Sequence, residues 1–145
     1  MTAAPLPNAE QTQARRFGRA RLARSTALLE DYVELIGDLT EQGGEARPTE
    51  IARRLGVAHV TVVKAVARLK LRGLVTAQPY RGVALTEAGR KLAGTVRQRH
   101  RLVVDLLRAI GVPQEAAESD AEGIEHHISQ ATLTAISAFL DRQRE

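Results

Sequence analysis

The chain has 145 residues, enough for one compact domain or a small domain with a helical extension, so a core can form without disulfides. Cysteine is absent, which excludes zinc ribbons and thiol nucleophiles and leaves only oxygen and nitrogen ligands for a metal. The net charge is +4, with basic residues concentrated in 1–25 and 47–76 and acidic residues in 111–145. This division predicts that one end of the molecule binds polyanions and the other binds cations.

The N-terminal segment predicts neither a membrane span nor a signal peptide. No apolar run approaches the length needed to cross a bilayer, so we expect a cytoplasmic protein with no membrane partner. Residues 1–24 carry five arginines and no sustained apolar period, which predicts a disordered basic arm. A solvated tail and an element that contacts DNA are both consistent with this composition.

The next segment predicts a first core helix. Ser25 or Thr26 is suited to cap its start, and Gly43 and Gly44 end it near Gln42. Apolar residues recur between these points at helical spacing, at Leu28, Tyr32, Leu35, Ile36 and Leu39.

Two shorter helices follow with the pattern of a helix-turn-helix. Pro48 starts a short helix that ends at Gly56, and a second helix is predicted over 58–72. Apolar residues in both helices are spaced so that the helices lock together at a tight turn.

A β-hairpin is predicted after Gly73, where Leu74 and Val75 form one strand and 83–85 the other. A hairpin in this position is the wing of a winged helix-turn-helix. The sequence therefore predicts a DNA-binding domain at 25–86.

The polar face of the second short helix and neighbouring basic residues supply candidate DNA contacts. Positive charge releases counterions from phosphates, and side chains near a helix start reach base edges. A protein-binding winged helix with a solvated basic face is the alternative interpretation. The candidate DNA-binding residues are Arg47, His59, Thr61, Lys64, Arg68 and Arg81.

The remaining residues predict a helical domain at 87–145. Thr86 caps a helix that runs to about Ile110, and Ser119 or Asp120 caps a single last helix. These amphipathic helices have no further partner in so short a chain, which predicts a homodimer interface. The apolar stripe of the last helix is Ile124, Ile128, Ala131, Ala135 and Phe139.

Potential metal ligands occur in three groups on three predicted helices. By itself, a carboxylate pair at i, i+3 is more typical of a solvated acidic turn. A lone histidine in an apolar stripe is more typical of a histidine buried in the core. Two carboxylates and a histidine at i, i+3 and i+4 indicate a cation more strongly, because the carboxylates repel without one. Together the groups would hold one six-coordinate cation or a carboxylate-bridged pair. They are Asp31 and Glu34, His100, and Glu122, Glu125 and His126.

The donor set favours Mn²⁺ or Fe²⁺, because zinc sites use cysteine or more histidine. A di-metal carboxylate oxidase is disfavoured, since no glutamate in the chain is followed by histidine at i+3. A metal-independent winged-helix regulator that binds small phenolic ligands would explain the basic half but not the six ligands. We therefore expect a regulator rather than an enzyme, with no organic ligand.

Several motifs resemble the manganese-responsive branch of the diphtheria toxin repressor family, over about residues 26–140. The motifs are EDYVELI at 30–36, YRGVALTEAGRKLA at 80–93, the isolated His100 and DAEGIEHHIS at 120–129.

The resemblance implies a repressor with a two-metal site in which Glu34 and Glu125 are the bridges, although the donor set alone would also fit a single ion. The ligands that it implies are Asp31, Glu34, His100, Glu122, Glu125 and His126. It also implies a homodimer that binds a palindromic operator near manganese uptake genes. An iron-responsive regulator of the same family is the alternative. The iron-responsive branch commonly has methionine at the position of Asp31, so the oxygen donor in this chain favours manganese.

Overall fold

The computed structural model describes residues 8–77 and 79–145 and shows a mainly helical chain with a small antiparallel sheet. A winged helix-turn-helix unit is followed by a helical unit, which confirms the predicted fold class. In chain order the elements are α1 (Ala9–Glu41), α2 (Pro48–Leu55), α3 (His59–Leu71), β1 (Val75–Ala77), β2 (Val83–Leu85), α4 (Glu87–Ala109), α5 (Gln114–Ile124), a 3₁₀ helix (Glu125–His127) and α6 (Gln130–Arg144).

Helix α1 begins much earlier than the sequence predicted. Asn8 caps it by accepting a hydrogen bond from a backbone amide one turn on (2.7 Å), so residues 9–24 are helical and not disordered. Neither Ser25 nor Thr26 is the cap. The prediction was wrong because extending an existing helix costs far less than nucleating one, so a solvated extension needs no apolar stripe. Residues 1–7 of the predicted arm lie outside the described residues.

Only the second half of α1 is buried. Leu28, which was expected in the apolar stripe, is exposed, and Leu35 is half-buried. Leu29 and Val33 are buried instead and join the core. The first half of α1 is therefore a projecting helix rather than part of that core.

Helices α2 and α3 form the predicted helix-turn-helix. Gly56 adopts a φ of +69°, the left-handed conformation that ends α2 and turns the chain into α3. Ile51 of α2 and Val62 and Leu69 of α3 are fully buried in a core shared with α1. The outer face of α3 is left exposed.

Strands β1 and β2 pair antiparallel as the predicted wing, although β1 starts at Val75 rather than Leu74. The Val83 amide donates to the Ala46 carbonyl oxygen (2.8 Å), which ties the wing to the segment before α2. A Cβ at Gly89 would collide with the Leu74 carbonyl oxygen. Glycine there lets α4 pass directly against the start of the wing.

The segment predicted as one last helix is divided. Helix α5 ends at Ile124, the 3₁₀ helix follows, and Ile128 is extended. Ser129 then caps α6 by accepting a hydrogen bond from the Thr132 amide (3.3 Å). The prediction of a single helix was wrong because the Ser129 hydroxyl offers the backbone an N-cap that periodicity alone does not reveal.

This division also changes which residues of the last helix are buried. The extended backbone at Ile128 interrupts the helical rotation between α5 and α6, so the predicted stripe does not continue through α6. Within the protomer α6 buries Leu133, Ile136 and Leu140, whereas Ala131 and Ala135 are exposed.

Two cores are joined through α1 and α4. The larger contains residues of α1, the helix-turn-helix, the wing and the start of α4, and the smaller lies between α4 and α5. Arg97 of α4 donates to Asp38 (2.9 Å) and Glu41 (2.7 Å) of α1.

Over the described residues, no helix combines the length and apolar character needed to cross a bilayer.

Candidate metal centre and nucleic-acid interface

His100 and Glu125 form the centre of a cluster of ionisable side chains where α4 meets the 3₁₀ helix. His100 Nδ1 lies 2.6 Å from Glu125 Oε2 and 3.6 Å from Glu122 Oε1. Donor atoms of these three residues lie within 4.8 Å of one another, which is close enough to share one metal ion. Glu125 is fully buried, whereas Glu122 is exposed near the end of α5.

His126 lies on the other side of Glu125 and faces α1. Its Nε2 is 2.9 Å from Asp31 Oδ1 and 3.3 Å from Glu125 Oε1, and its Nδ1 is 3.9 Å from Glu30 Oε1. The two carboxylate oxygens of Glu125 therefore approach two different imidazoles.

The 3₁₀ helix explains how neighbouring residues enter the same cluster. Glu125 and His126 are both buried, and His127 is exposed. Successive side chains are about 120° apart in a 3₁₀ helix, so Glu125 and His126 leave the backbone in different directions, Glu125 toward His100 of α4 and His126 toward Asp31 of α1.

Glu34 completes the set of six predicted ligands. It is half-buried on α1 and lines a cavity of about 390 Å³ together with His100 and Glu118. Burial raises the pKa of Glu34, and the charge of Glu122 raises it further. The structure therefore brings together all six residues whose ligand role was predicted, from α1, α4, α5 and the 3₁₀ helix.

Burial of a carboxyl group and the attraction between imidazoles and carboxylates hold protons in this cluster. Burial raises the pKa of Glu125 to about 7, against the opposing effect of its hydrogen bond to His100. The carboxylates of Asp31 and Glu30 raise the pKa of His126 to about 10. Partial burial lowers the pKa of His100, but the hydrogen bonds to Glu118 and Glu125 outweigh it and the net pKa is raised.

Buried polar atoms without partners show that the cluster fits a cation. Among the described residues, Glu125 Oε1 and both ring nitrogens of His126 are buried and make no hydrogen bond, because the close approach to Asp31 is not aligned as one. Such atoms are costly in a folded protein unless something satisfies them. Oxygen and nitrogen donors at these positions match the preferences of hard and borderline divalent metals.

Three residues next to the predicted ligands were missed by the sequence analysis. Glu118 lies 2.8 Å from His100 Nε2, and buried Glu30 forms an ion pair with Arg99 beside His126. Glu118 stands four residues before Glu122, a spacing that places both on one side of α5 and was available as a signal. Glu30 and Arg99 had no such signal, because each was only a neighbour in sequence of a predicted ligand.

All six candidate DNA-binding residues lie on the exposed surface of the winged helix-turn-helix. His59, Thr61, Lys64 and Arg68 belong to α3, and Arg81 lies in the wing. Arg47, just before α2, hydrogen bonds Glu45 (2.9 Å). The exposed basic face satisfies the steric requirement for a DNA contact.

A groove connects the DNA-binding face to the metal centre. It has a volume of about 680 Å³ and lies between α1 and the helix-turn-helix. Asp31 of the cluster lines it on one side, and Thr61, Lys64 and Arg68 line it on the other. Helix α1 is therefore in contact with both predicted functional regions.

Two known domain families account for most of the chain. Residues 25–83 match the family domain described as "Iron dependent repressor, N-terminal DNA binding domain". Residues 86–145 match "Iron dependent repressor, metal binding and dimerisation domain".

Two curated relatives are both named transcriptional regulator MntR. The chain is 45% identical to the one from Escherichia coli O157:H7 over 133 residues, covering 92% of this chain and 86% of the relative. It is 49% identical to the one from Salmonella typhimurium over 123 residues, covering 85% and 78%.

Among solved structures, the chain is similar to a manganese-dependent transcriptional repressor in complex with manganese. The TM-score is 0.68 at 29% identity, and the match covers 78% of this chain. The chain spans about half of that repressor, since the match covers 52% of it.

Proposed function

The chain belongs to the iron-dependent repressor family, also known as the diphtheria toxin repressor family, and we propose that within it this protein is a manganese-dependent transcriptional repressor. It acts in the cytoplasm as a homodimer on operator DNA of genes for manganese uptake. Mn²⁺ occupies the cluster of Asp31, Glu34, His100, Glu122, Glu125 and His126.

One observation carries the proposal. Asp31 on α1, in the winged helix-turn-helix unit, lies 2.9 Å from His126 of the helical unit, in a cluster where buried donor atoms of Glu125 and His126 lack partners. Asp31 and Glu34 reside on α1, which also lines the groove beside Lys64 and Arg68. A change at the cluster therefore reaches the DNA-binding face through one helix.

The chain's own residues perform the coupling. A bound divalent cation supplies the positive charge that offsets repulsion among the four carboxylates. With a cation bound, Asp31 and Glu34 would hold α1 against His100 of α4 and Glu125 of the 3₁₀ helix. This arrangement favours one orientation of the DNA-binding unit over others, so metal acts as a ligand that shifts populations.

The donor set and the site geometry support manganese and a bridging role for Glu125. Six oxygen and nitrogen donors with no sulfur suit Mn²⁺, and Asp31 supplies oxygen where the iron-responsive branch commonly has methionine. Glu125 directs one oxygen to each imidazole, as a carboxylate between two ions would. We propose one or two ions per protomer, and Glu34, which lines a cavity with His100, would be the second carboxylate shared between two ions.

The nucleic-acid partner is a palindromic operator. Lys64, Arg68 and Arg81 contact phosphates, and His59 and Thr61 lie near the start of α3, where base edges come within reach. A homodimer formed through the helical unit would present two α3 helices to half-sites one helical turn of DNA, or a multiple of it, apart. No organic ligand takes part.

The proposal is tested by measuring operator affinity with Mn²⁺, Fe²⁺ under anaerobic conditions, Zn²⁺ or a chelator. Operator duplexes are selected from a random pool by the Mn²⁺-loaded protein. We expect Mn²⁺ to tighten binding about 5- to 150-fold over the chelator, the usual range of allosteric coupling. A response to Fe²⁺ alone would favour the iron-responsive alternative, and equal affinity with the chelator would favour metal-independent regulation.

A further inference from the structure

The two ring nitrogens of His100 face different groups. Nδ1 points into the cluster, 2.6 Å from Glu125 and 3.6 Å from Glu122. Nε2 points out of it and lies 2.8 Å from Glu118 Oε2. Glu118 is on α5 and is not one of the six assigned ligands.

Glu118 is itself held in place. The Gln114 side-chain amide donates to Glu118 Oε1 (2.8 Å), so the two carboxylate oxygens bind different partners. Gln114, Glu118 and His100 thus form a hydrogen-bonded chain that runs from the surface of α5 to the edge of the cluster. The contacts of Nδ1 with Glu125 and of Nε2 with Glu118 together hold the imidazole ring of His100 in one rotation.

A histidine that ligates a metal through one nitrogen has an N–H on the other, and a carboxylate that accepts this hydrogen orients the ring and makes it a stronger ligand. The cluster contains a second, looser example. His126 turns Nε2 toward Asp31 and Glu125, and its Nδ1 faces Glu30 at 3.9 Å.

We propose that Glu118 is a positioning residue for the metal centre. It accepts the Nε2–H of His100 and thereby presents Nδ1 to the cation as the ligating nitrogen. This inference rests on the proposed function, because it assumes that His100 ligates a divalent metal. Glu118 acts through His100 and does not itself contact the ion.

The test compares three variants with the wild type. Glu118→Ala removes the acceptor, and Glu118→Gln keeps an oxygen that accepts the Nε2–H. Asp120→Ala is the matched control, because it removes one negative charge from an exposed position of the same helix. The half-exposed Glu118 side chain allows substitution without opening the core.

Two readouts separate positioning from general electrostatics. Mn²⁺ affinity is measured from the paramagnetic resonance signal of the free ion, and the ligating nitrogen is identified by ¹⁵N-histidine NMR of protein loaded with ¹¹³Cd²⁺. We expect Glu118→Ala to lower Mn²⁺ affinity about 10- to 100-fold and to weaken the coupling at Nδ1. Glu118→Gln should recover most of the affinity, and Asp120→Ala should match the wild type.

The outcomes distinguish the inference from the function on which it rests. If Glu118→Ala binds Mn²⁺ like Asp120→Ala and keeps the same cadmium–nitrogen coupling, the inference is overturned while the proposed function stands. Coupling of cadmium to Nε2 in the wild type would also overturn it. If the wild type takes up no Mn²⁺, the proposed function fails and the inference fails with it.

Discussion

Glu125 is the residue on which the two halves of the cluster converge. Its carboxylate is fully buried, faces His100 with one oxygen and His126 with the other, and has a pKa raised to about 7 by that burial. A side chain that costs this much to ionise is difficult to explain as a packing element. Its position is explained if a cation shares its two oxygens.

Replacing Glu125 therefore tests the centre most directly. We expect Glu125→Ala and the isosteric Glu125→Gln to abolish the effect of Mn²⁺ on operator binding while the metal-free protein stays folded. Operator affinity with and without Mn²⁺ is the measurement, and circular dichroism checks the fold. His127→Ala is the control, because that neighbouring side chain is exposed. A Glu125→Gln protein with a normal response would contradict the assignment of the 3₁₀ helix to the sensor.

At this scale the sequence predicted which carboxylates and imidazoles lie together better than it predicted their surroundings, and their role as metal ligands stays a prediction. The signal came from Glu122, Glu125 and His126, whose carboxylates repel one another at helical spacing without a cation. The other three residues indicated a metal only together with that group and with the family motifs. Glu30 and Arg99 were not recognisable, because their ion pair joins α1 to α4 across 69 positions of the sequence. Which acidic residue contacts a predicted ligand from a distant part of the sequence is determined by the tertiary fold.

At the scale of elements, the division between α5 and α6 matters most for the site. Periodicity predicted one helix because Ile124 and Ile128 are spaced as if the stripe continued. The Ser129 cap and the 3₁₀ helix override that pattern, and they place Glu125 and His126 inside. The helix-turn-helix was predicted more accurately, since Gly56 and Pro48 are strong local signals.

Helix α3 is the element predicted to enter the major groove. We expect Lys64→Ala and Arg68→Ala to weaken operator binding about 5- to 150-fold each, with Mn²⁺ affinity almost unchanged, because neither side chain lies in the cluster. Fluorescence anisotropy and metal titration give the two quantities. Arg142→Ala removes the same charge from α6 and should leave operator binding intact. Weaker Mn²⁺ binding by the α3 variants would contradict the separation of the two regions.

The projecting half of α1 is the element with the least packing. Residues 9–24 hold five exposed arginines and one glutamate, and burial in α1 starts only at Leu29. We expect deletion of residues 1–24 to leave folding and dimerisation unchanged. If the arm touches DNA, the deletion lowers the slope of log affinity against log salt by about 0.9 for each phosphate that the arm neutralises.

A full-length variant separates charge from helix length in this arm. Replacing the five arginines with glutamine keeps the helical extension but removes its positive charge. We expect this variant to show the same reduced slope as the deletion. An unchanged slope in both proteins would make the arm a solvated tail.

At the scale of the whole molecule, charge is divided between two ends that share α1. Basic residues cover the winged helix-turn-helix, and carboxylates accumulate where the helical unit meets α1. The comparisons confirm the family that the sequence motifs predicted. Neither end regulates transcription alone, because a switch requires that metal distinguish between arrangements of the entire protomer.

The protons held by the metal-free cluster give this switch a pH dependence. Glu125 has a folded pKa of about 7, above its ordinary 4.5, so its contribution to stability falls as pH rises from 4.5 to 7. His126 has a folded pKa of about 10, above its ordinary 6.5, so the stability it contributes is full below pH 6.5 and is lost between 6.5 and 10. Both effects make the metal-free fold less stable as pH rises.

A cation must displace the same protons, so the stabilisation by Mn²⁺ should grow with pH. For each proton that Mn²⁺ displaces, the apparent Mn²⁺ affinity rises about tenfold per pH unit, as long as the pH is below the pKa of the group that releases the proton. We expect the rise in melting temperature on adding Mn²⁺, relative to a chelator, to be small at pH 6 and larger at pH 8.5. Calorimetry at fixed protein and metal concentration measures it, and Glu125→Gln should show no rise at either pH. An equal rise at both pH values in the wild type would mean that metal displaces no protons, and that the cluster of Glu125 and His126 does not bind it.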